Sequence, residues 1–201
     1  MPDWDENSPE LRENLKQVLR DIRDSAQQRK TLGVETIREW HRGIMKGLNV
    51  PNKKWIGKFR GEVGLKKEVR IGAHPGTPAS EVATALAEFN TRLVNVIKRL
   101  DEVIISGAEL NADQLNSILS VCAWAHSEWV RIHPFANGNG RTARLLANAI
   151  ALRYGLPPFV QLRPRPNQGY PDAAEASMLG DYKPLAIVFD KMLQAYLSKP
   201  N

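Results

Sequence analysis

The stretch His133-Pro134-Phe135-Ala136-Asn137-Gly138-Asn139-Gly140-Arg141-Thr142-Ala143-Arg144 constrains this chain more than any other. Apolar spacing ahead of it predicts a helix that delivers His133, and the spacing behind it predicts a second helix from about Asn139 to Tyr154. Between them lies a glycine-rich turn. Glycines let backbone N–H groups approach an anion closely. A helix that starts just after such a turn adds unpaired N–H groups and the positive end of its dipole. Arg141 and Arg144, three residues apart, share one face of the first turn, and two guanidinium forks beside a nest of amides form a phosphate site. His133 stands directly before the turn, and histidine as a residue type titrates near neutrality, as a general base should. Each part has a plainer reading by itself: a structural histidine, a common Gly-Asn-Gly turn, a solvated arginine face. Arginine, however, has the wrong sign for a helix N-terminus. Two of them there want an anion between them.

The remaining pattern is mainly helical. Ser8 can cap a helix with Pro9 at its first position, and Leu11, Leu15, Val18 and Ile22 recur at helical spacing. A loop at Thr31-Leu32-Gly33 precedes a second helix to about Leu48. From Trp55 to Pro78 the chain is rich in glycine, lysine and β-branched residues. There Val69, Ile71 and Ala73 alternate with Arg70 and Gly72, a short strand pattern whose alternative is a solvated basic loop. A long amphipathic helix is expected from about Ser80 to Ile105, with Val82, Leu86, Phe89, Leu93, Val96, Ile97 and Leu100 on its buried stripe and Gly107 placed to end it. Asn111 can cap the next helix, whose apolar face carries Leu115, Ile118, Leu119, Cys122, Ala125, His126 and Trp129. His126 reads as a hydrogen-bonded core histidine in preference to a ligand. Asn148 is one turn beyond Arg144 on the same face, within reach of a bound nucleotide. Gly155 and Pro157-Pro158 stop the motif helix, Leu162-Arg163-Pro164-Arg165-Pro166 is an extended basic strip, and Tyr170 opens a short helix. The last helix runs from about Pro184 to Ser198, with Leu185, Val188, Phe189, Met192 and Tyr196 on one face.

Bulk properties narrow the function classes. A chain of 201 residues suits one domain with a sizeable core. Lysine and arginine total 28 against 22 acids, and the net charge of +6 favours anionic partners. The single cysteine, Cys122, cannot form an internal disulfide. No apolar run approaches the roughly 20 residues needed to span a bilayer, and the N-terminus lacks a signal-peptide pattern, so a cytoplasmic protein without membrane association is expected. Nucleic-acid binding, suggested by Arg163 and Arg165, is disfavoured because no aromatic sheet motif or zinc pattern accompanies them.

His133 to Arg144 resembles the signature of Fic domains, H-x-F-x-(D/E)-G-N-G-R-x-x-R, at every fixed position except Asn137, where the family usually carries an acid. Ala125 to Ile132 resembles the family's approach helix. Trp40-His41-Arg42 and Gly57-Lys58-Phe59-Arg60 resemble its early helix and its G-x-(F/Y)-R segment. The resemblance implies a mainly α Fic fold, a helical bundle with a short β-hairpin flap, over residues 31–201, preceded by an N-terminal helical extension over residues 1–30. It implies transfer of AMP from ATP to a Ser, Thr or Tyr hydroxyl of a target protein. His133 would be the base, and Gly138, Asn139 and Gly140 the anion hole. Arg141 and Arg144 would hold the outer phosphates, and Tyr170 would stack on the adenine. The target would dock at the flap, near Val69 to Ala73. The acid at position 137 would hold Mg²⁺, so Asn137 implies weak or water-mediated metal binding. The alternative is a degenerate Fic domain that binds nucleotide or another phosphate-containing donor without efficient AMP transfer. Many members block their own site through (S/T)-x-x-x-E-(G/N). Thr31 to Glu35, Thr77 to Glu81 and Thr84 to Glu88 match only its loose form. A built-in inhibitory helix is therefore not expected, and a separate inhibitory protein would supply any such control.

Overall fold

The structure, a computed structural model, describes residue 4 and residues 8–167 and 169–199. Among these, seven α-helices follow one another as α1 (Pro9–Gln27), α2 (Val34–Met45), α3 (Val82–Val103), α4 (Ala112–Ile132), α5 (Asn139–Arg153), α6 (Tyr170–Met178) and α7 (Lys183–Leu197). A two-stranded antiparallel hairpin, β1 (Arg70–Ile71) and β2 (His74–Pro75), lies between α2 and α3.

Local chemistry sets several of the boundaries. Ser8 accepts a hydrogen bond from the Leu11 N–H at 3.1 Å, with Pro9 opening α1. Asn111 caps α4 as its residue type predicts. Gln114 completes the cap: its N–H donates to Asn111 Oδ1 at 2.9 Å and its Oε1 accepts from the Asn111 N–H at 3.1 Å. Such a reciprocal box satisfies two of the four donors a helix start leaves over, and loss of the cap residue costs about 1 kcal/mol. Helix α3 is shorter than its apolar pattern predicts. A turn closed by Glu81 N–H to the Pro78 carbonyl occupies its expected start. Ile104, extended and buried, ends it before Gly107 is reached.

Helix α5 occupies the centre, packed against α4 along its length and against α1 and α2 on another side, while α3, α6 and α7 pack on α4. Twelve of its fifteen residues are buried, so it has no solvent face to be amphipathic about. Ala143, Ala147 and Ala151 recur every four residues and permit close approach of α4. The Cys122 thiol there donates to the Ala147 carbonyl at 3.3 Å, and Trp129 Nε1 donates to Thr142 Oγ1 at 2.8 Å. Helix α1 adds Leu11, Leu15, Val18 and Ile22 to the same apolar core.

The hairpin is shorter than the alternation from Val69 to Ala73 predicts. Arg70 pairs with Pro75 and Ile71 with His74, so Ala73 falls in the connecting turn with Gly72. Gly72 has φ +60°, and glycine at the first central position is what a two-residue II′ turn requires. No described helix is long and apolar enough to cross a membrane.

Candidate active site

His133 is the last cap of α4 and adopts the left-handed conformation, φ 52° and ψ 55°. A non-glycine residue in that region carries strain and needs its neighbours to hold it. Its Nδ1 lies 3.2 Å from the Val130 carbonyl. A carbonyl only accepts, so Nδ1 carries the proton and Nε2 is the basic nitrogen.

The turn that follows is built by contacts from distant segments. Asn139 folds back on Phe135, its Oδ1 accepting from the Phe135 N–H and its Nδ2 donating to the Phe135 carbonyl, both at 2.9 Å. Phe135 stacks on His41 with ring centres 3.8 Å apart. His41 accepts from the Gly57 N–H at Nδ1 (2.9 Å), which leaves Nε2 to donate to the Asn137 carbonyl at 3.0 Å. Gly138 has φ +83°, and a Cβ there would sit 2.5 Å from Met45 Cε. The backbone conformation demands glycine at this point, while the Met45 methyl would have to shift to admit a Cβ. Asn139 and Gly140 then begin α5, whose first-turn N–H groups have no helical acceptor.

A cavity of about 540 Å³ opens over this turn. Its wall includes His133, Gly138, Asn139, Gly140 and Arg144, together with flap residues from Lys67 to Gly72. Lys67, Arg70, Arg144 and Arg165 line it against one carboxylate, Glu68, so its field favours an anion. Arg144 Nη2 donates to the Leu162 carbonyl at 3.1 Å, but its buried Nε meets no acceptor among the described residues. The flap closes on the other side through His74, whose Nε2 lies 3.0 Å from Glu175 on α6.

The structure does not place the two arginines together on the cavity, as their spacing predicts. Arg144 lines the cavity and Arg141 does not. Arg141 Nη2 donates to Asn137 Oδ1 at 2.7 Å and its Nη1 to the Trp4 carbonyl at 3.4 Å. Three residues along a helix leave about 60° between side chains, enough for the packing of Trp4 to draw Arg141 aside. The Trp4 N–H also meets Asn137 Oδ1 at 3.4 Å, and its indole stacks on Trp55, with ring centres 6.3 Å apart.

Two further expectations change. Asn148 is fully buried and outside the cavity. Its Nδ2 donates to the Val160 carbonyl (2.8 Å) and its Oδ1 accepts from the Val160 N–H (2.9 Å), pinning the strip that follows α5. Tyr170 reaches the cavity wall but is only 2% exposed, and the Arg165 guanidinium lies 5.8 Å over its ring. Its hydroxyl lies 2.7 Å from His126 Nε2. His126 is buried, as its place on an apolar stripe predicts. Burial, with the charges of Arg144 and Arg165 adding, pushes its pKa down to about 3, so it is neutral. The three glutamates of the loose inhibitory matches do not line the cavity, and Glu35 pairs with Arg38 at 2.9 Å. His41, Arg60 and Trp4 organise the site without having been assigned a role from sequence. Only the resemblance of Trp40-His41-Arg42 and Gly57-Lys58-Phe59-Arg60 to family segments pointed toward the first two.

Among the described residues, no group of three or more His, Cys, Asp and Glu side chains could hold an ion. The one motif oxygen at the expected position, Asn137 Oδ1, accepts from a guanidinium at 2.7 Å. A cation in that place and a neutral amide oxygen do not fit Mg²⁺, which prefers carboxylates together with substrate phosphates.

Comparison with known proteins bears on family and fold. The model of the Fic/DOC family matches residues 31–151, more than half of the chain. A protein adenylyltransferase Fic of Drosophila grimshawi is 28% identical over 186 residues, covering 90% of this chain and 33% of its own length. The corresponding protein of Drosophila mojavensis is 39% identical over 94 residues, 44% of this chain and 18% of its own length. This chain therefore spans a third or less of either relative. Fic-1 from C. elegans has a similar fold, with TM-score 0.67 and 24% identity over 92% of this chain and 48% of that one. So does the BepC effector of Bartonella tribocorum, solved with bound AMPPNP, with TM-score 0.59 and 15% identity over 90% of this chain and 85% of that one.

Proposed function

Because this chain belongs to the Fic/DOC family, we propose that it transfers AMP from ATP to a hydroxyl of a target protein. The observation that carries the reading is the position of His133. Its proton is fixed on Nδ1 by Val130, and its ring stands on the wall of a cationic cavity floored by a helix N-terminus. In the proposed reaction His133 Nε2 takes the proton of a Ser, Thr or Tyr hydroxyl. The hydroxyl oxygen attacks the α-phosphorus of ATP, the bond to the β-phosphate oxygen breaks, and pyrophosphate leaves with the electron pair. The N–H groups of the Gly138 to Gly140 turn would meet the charge that develops, and Arg144 would hold the outer phosphates. The target segment would lie along the flap near Val69 to Ala73.

One observation favours a second reading. Asn137 Oδ1 is engaged by Arg141, so phosphate neutralisation falls to Arg144 and the amides, and any Mg²⁺ would be held chiefly by the nucleotide. A site built this way binds nucleotide or a related donor while transferring AMP slowly. Incubation with radiolabelled ATP and a cell lysate, beside a His133→Ala control, separates the two. Label on protein that depends on His133 supports transfer. ATP binding with no labelled protein and no mass shift in any target supports the second reading.

A further inference from the structure

Arg60 is 1% exposed, and four of its five guanidinium N–H groups go to main-chain oxygens from three segments, with Glu68 Oε2 3.7 Å from Nη1. Nε donates to the carbonyl of His133 at 2.7 Å. Nη2 donates to the carbonyl of Ile132 at 3.0 Å and to that of Thr77 at 2.7 Å. Nη1 donates to the carbonyl of Lys67 at 3.0 Å. The Arg60 N–H donates in turn to the carbonyl of Pro134. Lys67 and Thr77 are the residues on which the chain enters and leaves the flap; Ile132, His133 and Pro134 are the end of α4 and the start of the motif. One planar cation thus joins both feet of the flap to the carbonyl of the strained histidine.

Burial of a cation is costly unless every donor is met. Here four carbonyls on either side of the site, and the Glu68 carboxylate 3.7 Å from Nη1, meet the cation. The direct ties between flap and α4 are weaker, 3.4 Å contacts from the Thr77 N–H and hydroxyl to the Arg131 carbonyl. A Cβ added at Gly76, on the flap, would stand in ordinary contact, 3.5 Å, with both Arg60 Nη2 and His133 Cβ.

We propose that Arg60 is a positioning residue: it locks His133 in its left-handed conformation and fixes the flap at a set distance from the imidazole. A hydroxyl carried by a segment lying on the flap then arrives at Nε2. The proposal rests on the reading of His133 as the base, but its test does not use transfer. In Arg60→Lys, a single ammonium cannot span four acceptors in a planar fan. The variant should remain folded and bind ATP within a few-fold of the native protein. Amide exchange across residues 67–77 should rise roughly tenfold. Nitrogen NMR of His133 should show a mixture of tautomers in place of the Nδ1–H form. Native exchange rates and an unaltered His133 spectrum in the folded variant would overturn it. Native-state exchange of the unmodified protein gives a second measurement that needs no variant. The amides of Gly76, bonded to the Val69 carbonyl, and of Arg60 should open with one shared free energy. Separate opening energies would also overturn the proposal. Transfer that survives His133→Ala would remove the base reading and leave these two results standing.

Discussion

His41 Nε2 donates to the carbonyl oxygen of Asn137 at 3.0 Å, across 96 residues of sequence. Since Nδ1 of the same ring accepts from the Gly57 N–H, one neutral imidazole ties α2, the segment that carries Arg60 and the motif turn together. A charged ring could not accept from Gly57. The contact works only while His41 is neutral, and burial ensures this by pushing its pKa down to about 3, helped by the charges of Arg141 and Arg42 against the opposing hydrogen bond to Asn137.

That dependence sets a pH limit on stability. His41 and His126 both sit near 3 in the native protein, while an unfolded histidine titrates near 6.5. Below pH 6.5 the unfolded chain binds protons that the native chain refuses. The stability these residues contribute at neutral pH is therefore lost as pH falls from 6.5 toward 3, at about 1.4 kcal/mol per pH unit for each ring. Denaturant unfolding at pH 7 and pH 5 should differ by roughly 4 kcal/mol, and His126→Gln should remove about half of that difference. Equal stability at the two pH values would show that neither ring stays neutral.

Arg144 and Arg141 should separate in calorimetry. Arg144→Ala is expected to weaken ATP by roughly 1.5–3 kcal/mol, the range for a hydrogen bond to a charged group, with a smaller effect on AMP. Arg141→Ala should lower the unfolding temperature, because Asn137 and Trp4 lose a shared partner, while ATP affinity stays within a few-fold. Equal loss of ATP affinity in both variants would mean that Arg141 leaves Asn137 and turns into the cavity on binding.

Asn148 should behave as a structural residue. Asn148→Ala leaves the buried N–H and carbonyl of Val160 without partners, at a cost of roughly 2–4 kcal/mol. Chemical denaturation measures that cost. ATP affinity in the folded variant should be unchanged, and a matching loss of affinity would return Asn148 to the nucleotide site.

Asn137→Asp tests the departure from the family signature. A carboxylate offers two oxygens, one for Arg141 and one for a metal. If metal affinity limits transfer, the variant should need less Mg²⁺ for half-maximal labelling of a target. An unchanged Mg²⁺ dependence would show that the amide is not the limiting feature.

The sequence alone determined what local chemistry and periodicity can determine. Ser8 with Pro9, and Asn111, marked helix starts because their side chains or rings act within three residues. The stripe from Val82 to Leu100 announced α3 because burial repeats with the helical period. The motif announced a histidine, a tight turn and a helix start because each is encoded in consecutive residues. Only the tertiary structure decided how the side chains around that turn are used. Arg141 faces Asn137 and Trp4 while Arg144 faces the cavity, Asn148 holds Val160, and Tyr170 turns its hydroxyl to His126. His41 and Arg60 act through partners on distant segments. A hydrogen bond is satisfied by whichever acceptor the packing brings within 3 Å or so, and packing joins residues that sequence order keeps far apart.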